Sequence, residues 1–320
     1  MLNKIHEKQI NKLPKDVKWC KKCVMSNQRP RIFFDENGIC SGCLNAEYKK
    51  TVDWNKREDE LKKLLDKHRS KNNNWDVIVP SSGGKDSHFQ VITMLEHNMF
   101  PLCITATTDH LTEIGRYNIE NIKQLGVDYL EVSTNPVIRR RINRFALQQV
   151  GDISWPEHVT IFTTPIRFAV SLGINLVIWG ENSQNEYGGP AAAATSRTLD
   201  RRWLEEFGGL IGLRVTDLIG QDGIEEHHLI QYTYPSDDEL DASGVTGLFL
   251  GYFFPWDGLQ NSMIAQEHGF RTYGKPIEGS IVDYENLDNA QMGIHDYFKY
   301  LKFGFGRATD LACMQIRRGR

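Results

Sequence analysis

The stretch WDVIVPSSGGKDSHFQVITML, Trp75–Leu95, decides the fold. Asp76–Pro80 reads as a short apolar strand, Ser81–Ser87 as a Gly/Ser loop, and Asp86–Asn98 as a helix. Two adjacent glycines let the backbone wrap closely around an anion. The N-terminus of the following helix presents unpaired N–H groups and a partial positive charge. Ser82, Gly83, Gly84, Lys85, Asp86 and Ser87 are therefore candidate phosphate-binding residues. The serines offer hydroxyls, Lys85 a cation, and Asp86 a carboxylate suited to Mg²⁺. The bland alternative is a Ser/Asp turn that only caps a helix.

Working outward, strand and helix alternate. Phe100–Thr107, Val127–Val132 and Asn175–Gly180 read as strands, and Ile114–Leu125, Val137–Val150 and Ile161–Leu172 as helices. The alternation predicts an α/β fold, a parallel sheet with helices on both faces. After Gly180 the alternation stops. Segment 181–200 reads as a polar loop or lid, and 201–320 as mostly helical. Thr51–Asn74 reads as an amphipathic linker helix on the spacing of Trp54, Leu61, Leu64 and Leu65. The expected units are 1–50, 51–74, 75–190 and 191–320.

Upstream, Cys20 and Cys23 are paired two residues apart, as are Cys40 and Cys43. Two C-x-x-C turns can complete a tetrahedron around one ion, and Zn²⁺ is the expected occupant of a structural ribbon. Lys21 and Lys22 are expected to offset the thiolate charge. Paired redox thiols and an iron–sulfur cluster are the alternatives. Cys103 and Cys313 have no such partner, and Cys103 reads as a buried inert thiol.

The chain's 320 residues have ordinary globular composition, which excludes collagen-like, coiled-coil and wholly disordered readings. No apolar run is long enough to span a bilayer, and Met1–Ile10 has no signal-peptide core. A cytoplasmic protein without a membrane partner is expected. Residues 1–71 carry a balance of +8 and the rest −11, so a nucleic-acid partner is not favoured.

The loop is not a Walker A motif: Val79 stands where that motif needs glycine, and Asp86 where it needs Ser/Thr. It resembles the PP-loop of the ATP pyrophosphatase superfamily, whose SGGxDS pattern it meets in full. That resemblance implies cleavage of ATP between its α- and β-phosphates. It also implies adenine framed by the ends of the first two strands, near Val79–Pro80, Thr105–Thr107 and Asp109.

Four further stretches resemble bacterial N-acetyl-sugar amidotransferases. They are CKKCVMSNQRPRIFFDENGICSGC at 20–43, WPEHVTIFTTPIRFAV at 155–170, GENSQNEYGG at 180–189 and HDYFKYLKFGFGRATD at 295–310. The resemblance implies conversion of an acetamido group on a bacterial surface-glycan sugar into an acetamidino group. The substrate would be a diacetamido sugar, UDP-linked or a nine-carbon acid. With Leu2 at the second position, neither an N-terminal cysteine nucleophile nor a built-in glutaminase domain is expected. Ammonia is therefore expected free or from a separate glutaminase partner. A zinc-containing PP-loop tRNA thiolase is the alternative, although it would need cysteines near the active site.

Other candidates follow from position. Gly180, Glu181, Asn182 and Glu186 lie in the loop after the fourth strand. Glu181 and Asn182 are candidates for gripping substrate or orienting ammonia. Lys302 and Arg307 are candidates for reaching pyrophosphate, as a late lysine does in related enzymes. Arg139, Arg140, Arg141 and Arg144 read as a solvated helix face by default, or as an anion clamp. His158 reads either way. Tyr252, Phe253, Phe254 and Trp256 read as core packing, with stacking on a sugar or uracil ring as the sharper alternative.

Overall fold

The computed structural model describes residues 9–199 and 210–320. Residues 1–8, residue 200 of the expected polar loop, and 201–209 of the expected helical region lie outside the described residues.

Six strands form one sheet: β1 (Val77–Pro80), β2 (Pro101–Ala106), β3 (Asp128–Val132), β4 (Leu176–Trp179), β5 (Thr198–Leu199) and β6 (Thr246–Phe249). Their order is β3-β2-β1-β4-β6-β5. Every pairing is parallel except β5 with β6. The first helices in chain order are α1 (Ser41–Lys49), α2 (Trp54–His68), α3 (Lys85–Glu96), α4 (Glu113–Gln124), α5 (Pro136–Val150) and α6 (Trp155–Leu172). The later ones are α7 (Ser183–Glu186), α8 (Ala191–Ala194), α9 (Asp237–Ser243), α10 (Gly258–Glu267), α11 (Met292–Phe303) and α12 (Arg307–Arg317).

The strands alternate between two cores, as a period of two requires. Val77 and Val79 of β1 join Leu176 and Ile178 of β4 in one layer, with Leu61 and Leu65 of α2. Ile78, Val177 and Trp179 face the other layer, with Ile166 and Ala169 of α6. Burial on both faces explains the continuous apolar runs that alternation of polar and apolar residues would have broken. The segment expected to be a linker thus carries a helix packed into the main core. Asp53 caps it, accepting from the Lys56 N–H at 3.0 Å.

The sequence reading ends the sheet at β4, and the structure extends it by β5 and β6. These strands are two and four residues long, too short for a periodic signal. Gly247 interrupts β6 because a Cβ there would stand 2.9 Å from both the Leu199 carbonyl oxygen and Trp179 Nε1. No helix among the described residues is long and apolar enough to cross a membrane.

Strand order reverses between β1 and β4. The loops at their carboxyl ends, 81–84 and 180–182, therefore flank the crevice where open parallel sheets bind ligands.

Candidate active site

The loop after β1 is shaped by its glycines. Gly83 has φ +86°, and a Cβ there would lie 2.9 Å from Ile119 Cγ1 and 3.1 Å from the Ile119 nitrogen. Only glycine combines that conformation with that approach. The Ser82 N–H donates to Ser87 Oγ at 3.1 Å, and Gly84 opens α3 as its N-cap. Beneath the loop, buried His88 places Nδ1 2.9 Å from the Gly84 carbonyl and Nε2 3.1 Å from Asn121 Nδ2. Those partners fit a neutral ring that donates from Nδ1 and accepts at Nε2. Burial lowers its pKa to about 4.

The loop lines a cavity of about 160 Å³ whose far wall is the segment Tyr284–Asp288. Lys85, only 6% exposed, holds its ammonium between two carboxylates, Asp86 Oδ2 and Glu285 Oε1, each at 2.6 Å. Asp86 Oδ1 accepts from Asn261 Nδ2 of α10 at 2.8 Å. Both oxygens of Asp86 are thus engaged. Each oxygen keeps a further lone pair, and Asp86 is the residue here that would hold the expected Mg²⁺. Ser82 hydrogen-bonds Asp288, whose carboxyl burial raises above the usual range. Glu181, across the crevice, is pushed up to about 7 by burial and by the Asp86 charge.

The remaining candidates separate. Gly180 sits against Trp256 and Gln90, where a Cβ would meet Trp256 Cζ2 at 3.3 Å. Asn182 is buried, and its amide donates to the Ala193 and Ser196 carbonyls at 2.6 and 3.2 Å. The side chain expected to act on substrate therefore folds its own loop. Glu186 is a buried ion-pair partner of Lys49 and Arg318. Arg307 is joined to the loop through Glu285, at 3.7 Å, and to Asp296 at 2.9 Å. Lys302 does not reach the loop cavity, and its ammonium donates to the Val150 carbonyl at 3.2 Å.

Thr105 is buried in β2, next to Tyr129. Asp109 is held by Arg139 Nε at 2.6 Å and by Asn143 Nδ2 at 2.6 Å. Arg139 is 4% exposed, so the solvated-face reading fails for this residue: α5 turns it inward to an acidic partner. Its neighbours Arg141 and Arg144 reach Gly223 and Asp222 at the surface. Phe253 and Trp256 lie in the core, with Trp256 edge-on to Phe89 at 5.5 Å, as the packing reading expects.

The four ribbon cysteines are buried, with all their sulfurs within 4.8 Å of one another. Cys20–Cys43 and Cys23–Cys40 are 3.9 and 3.6 Å apart. Zinc bonds of about 2.3 Å in a tetrahedron require roughly 3.8 Å between sulfurs, so the set fits Zn²⁺. The Lys22 and Cys40 N–H groups point at Cys20 Sγ, each at 3.3 Å. The charge is offset differently from the expectation. Lys22 turns to Glu47, while Arg317 of α12 brings Nη2 to 3.8 and 3.6 Å from Cys23 and Cys40. Cys313, one turn earlier on α12, is buried in the same cluster.

Sequence reasoning missed Glu285, Asp288, Asn261 and Arg317. No local pattern marks them, because each acts across more than a hundred residues of chain. His295 lay inside a quoted stretch, and its partners did not show.

No family model matches the chain, and no curated protein matches it. Among solved structures, NMN synthetase from Francisella tularensis is similar over 68% of this chain and 94% of that one. The identity is 13% and the TM-score 0.33.

Proposed function

We propose that the chain is an ATP-dependent, AMP-forming N-acetyl-sugar amidotransferase with a structural Zn²⁺ ribbon. One observation carries the reading: the SGGKDS loop is a glycine-shaped cradle at the topological switch point, opening a helix and lining a cavity. The four stretches that resemble this enzyme class also meet in space. The ribbon packs on Phe303 and Phe305, Arg29 pairs with Asp310, Gly188 abuts Gly42, and His295 bonds Asp152 beside α6. No cysteine lines the loop cavity among the described residues, which disfavours the thiolase alternative.

In this reading the acetamido oxygen attacks the α-phosphorus of ATP. Pyrophosphate leaves into the cradle, where loop N–H groups and Lys85 stabilise it. Lys85 carries three N–H donors, two of which point at carboxylates, which leaves the third for a phosphate oxygen. Ammonia from a separate glutaminase adds to the resulting imidate carbon, and AMP departs. Glu181, ionising near 7, is suited to take the proton that the added nitrogen must lose.

The test is incubation with ATP, Mg²⁺, ammonium and a panel of diacetamido sugars, followed by mass spectrometry. AMP together with a sugar in which one oxygen is replaced by NH is expected. AMP formed only with tRNA and a sulfur donor would overturn the proposal.

A further inference from the structure

We propose that Asp152, His158 and His295 form a second metal site, for a borderline divalent cation of the Zn²⁺ type, independent of the cysteine ribbon. Asp152 and His158 stand on either side of the start of α6, and His295 comes from α11, more than a hundred residues away. One ligand atom from each lies within 4.8 Å of the others. His295 Nδ1 is 2.8 Å from Asp152 Oδ1, and His158 Nδ1 is 3.3 Å from Asp152 Oδ2. Bonds of about 2.0–2.2 Å to nitrogen and oxygen, at angles between octahedral and tetrahedral, separate neighbouring ligand atoms by roughly 2.9–3.4 Å. The three groups converge closely enough for small side-chain adjustments to reach that sphere.

Two further features point to a ligand. His158 Nδ1 is buried and meets only Asp152 Oδ2, without forming a well-aligned hydrogen bond, and Ser154 Oγ beside it is buried without a partner. Asp152 is buried, and the Ser154 N–H donates to its Oδ1 at 2.9 Å, an outer-shell bond that fixes the carboxylate. Two imidazoles and one carboxylate suit zinc or a related transition ion and leave coordination positions open.

The site would fasten α11 to α6. The segment Tyr284–Asp288, which walls the loop cavity, runs into α11, and Asn289 Nδ2 donates to Glu157 Oε2 at 2.6 Å beside His158. A metal here would hold that wall in place.

The test is Co²⁺ titration of chelator-treated full-length protein, followed by absorption and by metal analysis. Two equivalents are expected. One carries intense sulfur-to-cobalt bands from the ribbon, and the second only weak d–d bands. His295→Gln and His158→Gln, checked for folding by circular dichroism, should each lose the second equivalent and keep the first. Uptake of a single, thiolate-type equivalent by the wild type would overturn the site and leave a hydrogen-bonded clasp. Retention of both equivalents in the two folded variants would overturn the ligand assignment. The outcome is independent of whether the chain amidates a sugar.

Discussion

Glu181→Gln should make the protein more stable at neutral pH while disabling it. Glu181 ionises at about 7 in the folded chain against an ordinary 4.5, because burial and the Asp86 charge disfavour its carboxylate. Below 4.5 the group is protonated in both states and costs nothing. As pH rises from there, the unfolded chain releases its proton while the folded one holds it, so folding stability falls. The loss levels off once the folded group ionises near 7. Two and a half pH units at about 1.4 kcal/mol each give a loss of about 3 kcal/mol. The amide carries no such penalty. Urea unfolding of both proteins at pH 4.5 and 8 measures it, and comparing the two cancels the other titrating groups. The variant's advantage should grow by about 3 kcal/mol between the two pH values. An advantage that stays constant would show that Glu181 is not held in the environment described. Ammonia-dependent AMP formation should fall by about a hundredfold or more in the variant, as expected of a lost general base.

Other perturbations separate the loop, the ribbon and the buried pair. Gly83→Ala should destabilise by about 2–4 kcal/mol, from the positive φ and the Ile119 backbone 3.1 Å away. Gly84→Ala, at φ −72° with only Ser82 Oγ at 3.4 Å, should fold nearly as the wild type, and denaturant titration would compare them. Arg317→Met should speed zinc loss to a chelator roughly tenfold, because the cation nearest two sulfurs is gone. A release rate equal to wild type would show that the thiolate charge is balanced elsewhere. Arg139→Met should cost about 3 kcal/mol by leaving Asp109 without its cation, and adding Asp109→Asn should restore part of it in a double-mutant cycle.

Legibility followed the range of the interactions. The strand, glycine loop and helix of 77–96 are decided within twenty residues, so the sequence shows them. The paired cysteines are equally local, and their sulfurs converge as the spacing implies. The ends of α5 are set just as locally, Asn135 with Pro136 opening it and Gly151 at φ 64° closing it, although its reading began at Val137. What escaped is pairing across the chain. Asn182 looks like an active-site amide in a polar loop, and only the fold reveals that Ala193 and Ser196 take both its donors. Arg139 lies in a run of four basic residues, and composition cannot say which of them the helix turns inward. Lys302 shared a matched stretch with Arg307, yet five residues on a helix and its end are enough to send one to Val150 and leave the other beside Glu285.

The same reasoning explains why the loop's environment is acidic. An anion cradle alone would carry excess positive potential, with N–H groups and Lys85 facing a cavity. Here Asp86, Glu285 and Asp288 gather round it, and Glu181 stands opposite. Lys85 stays charged in a buried position because two carboxylates surround it, and Glu181 and Asp288 ionise late chiefly because they are buried, with neighbouring carboxylates adding to the effect. Arg307, paired with Glu285 and Asp296, ties this acidic group to the start of α12. The C-terminal part of the chain thus supplies one wall of the cavity, Tyr284–Asp288. It is joined to the rest through Arg317 on the ribbon and His295 on Asp152.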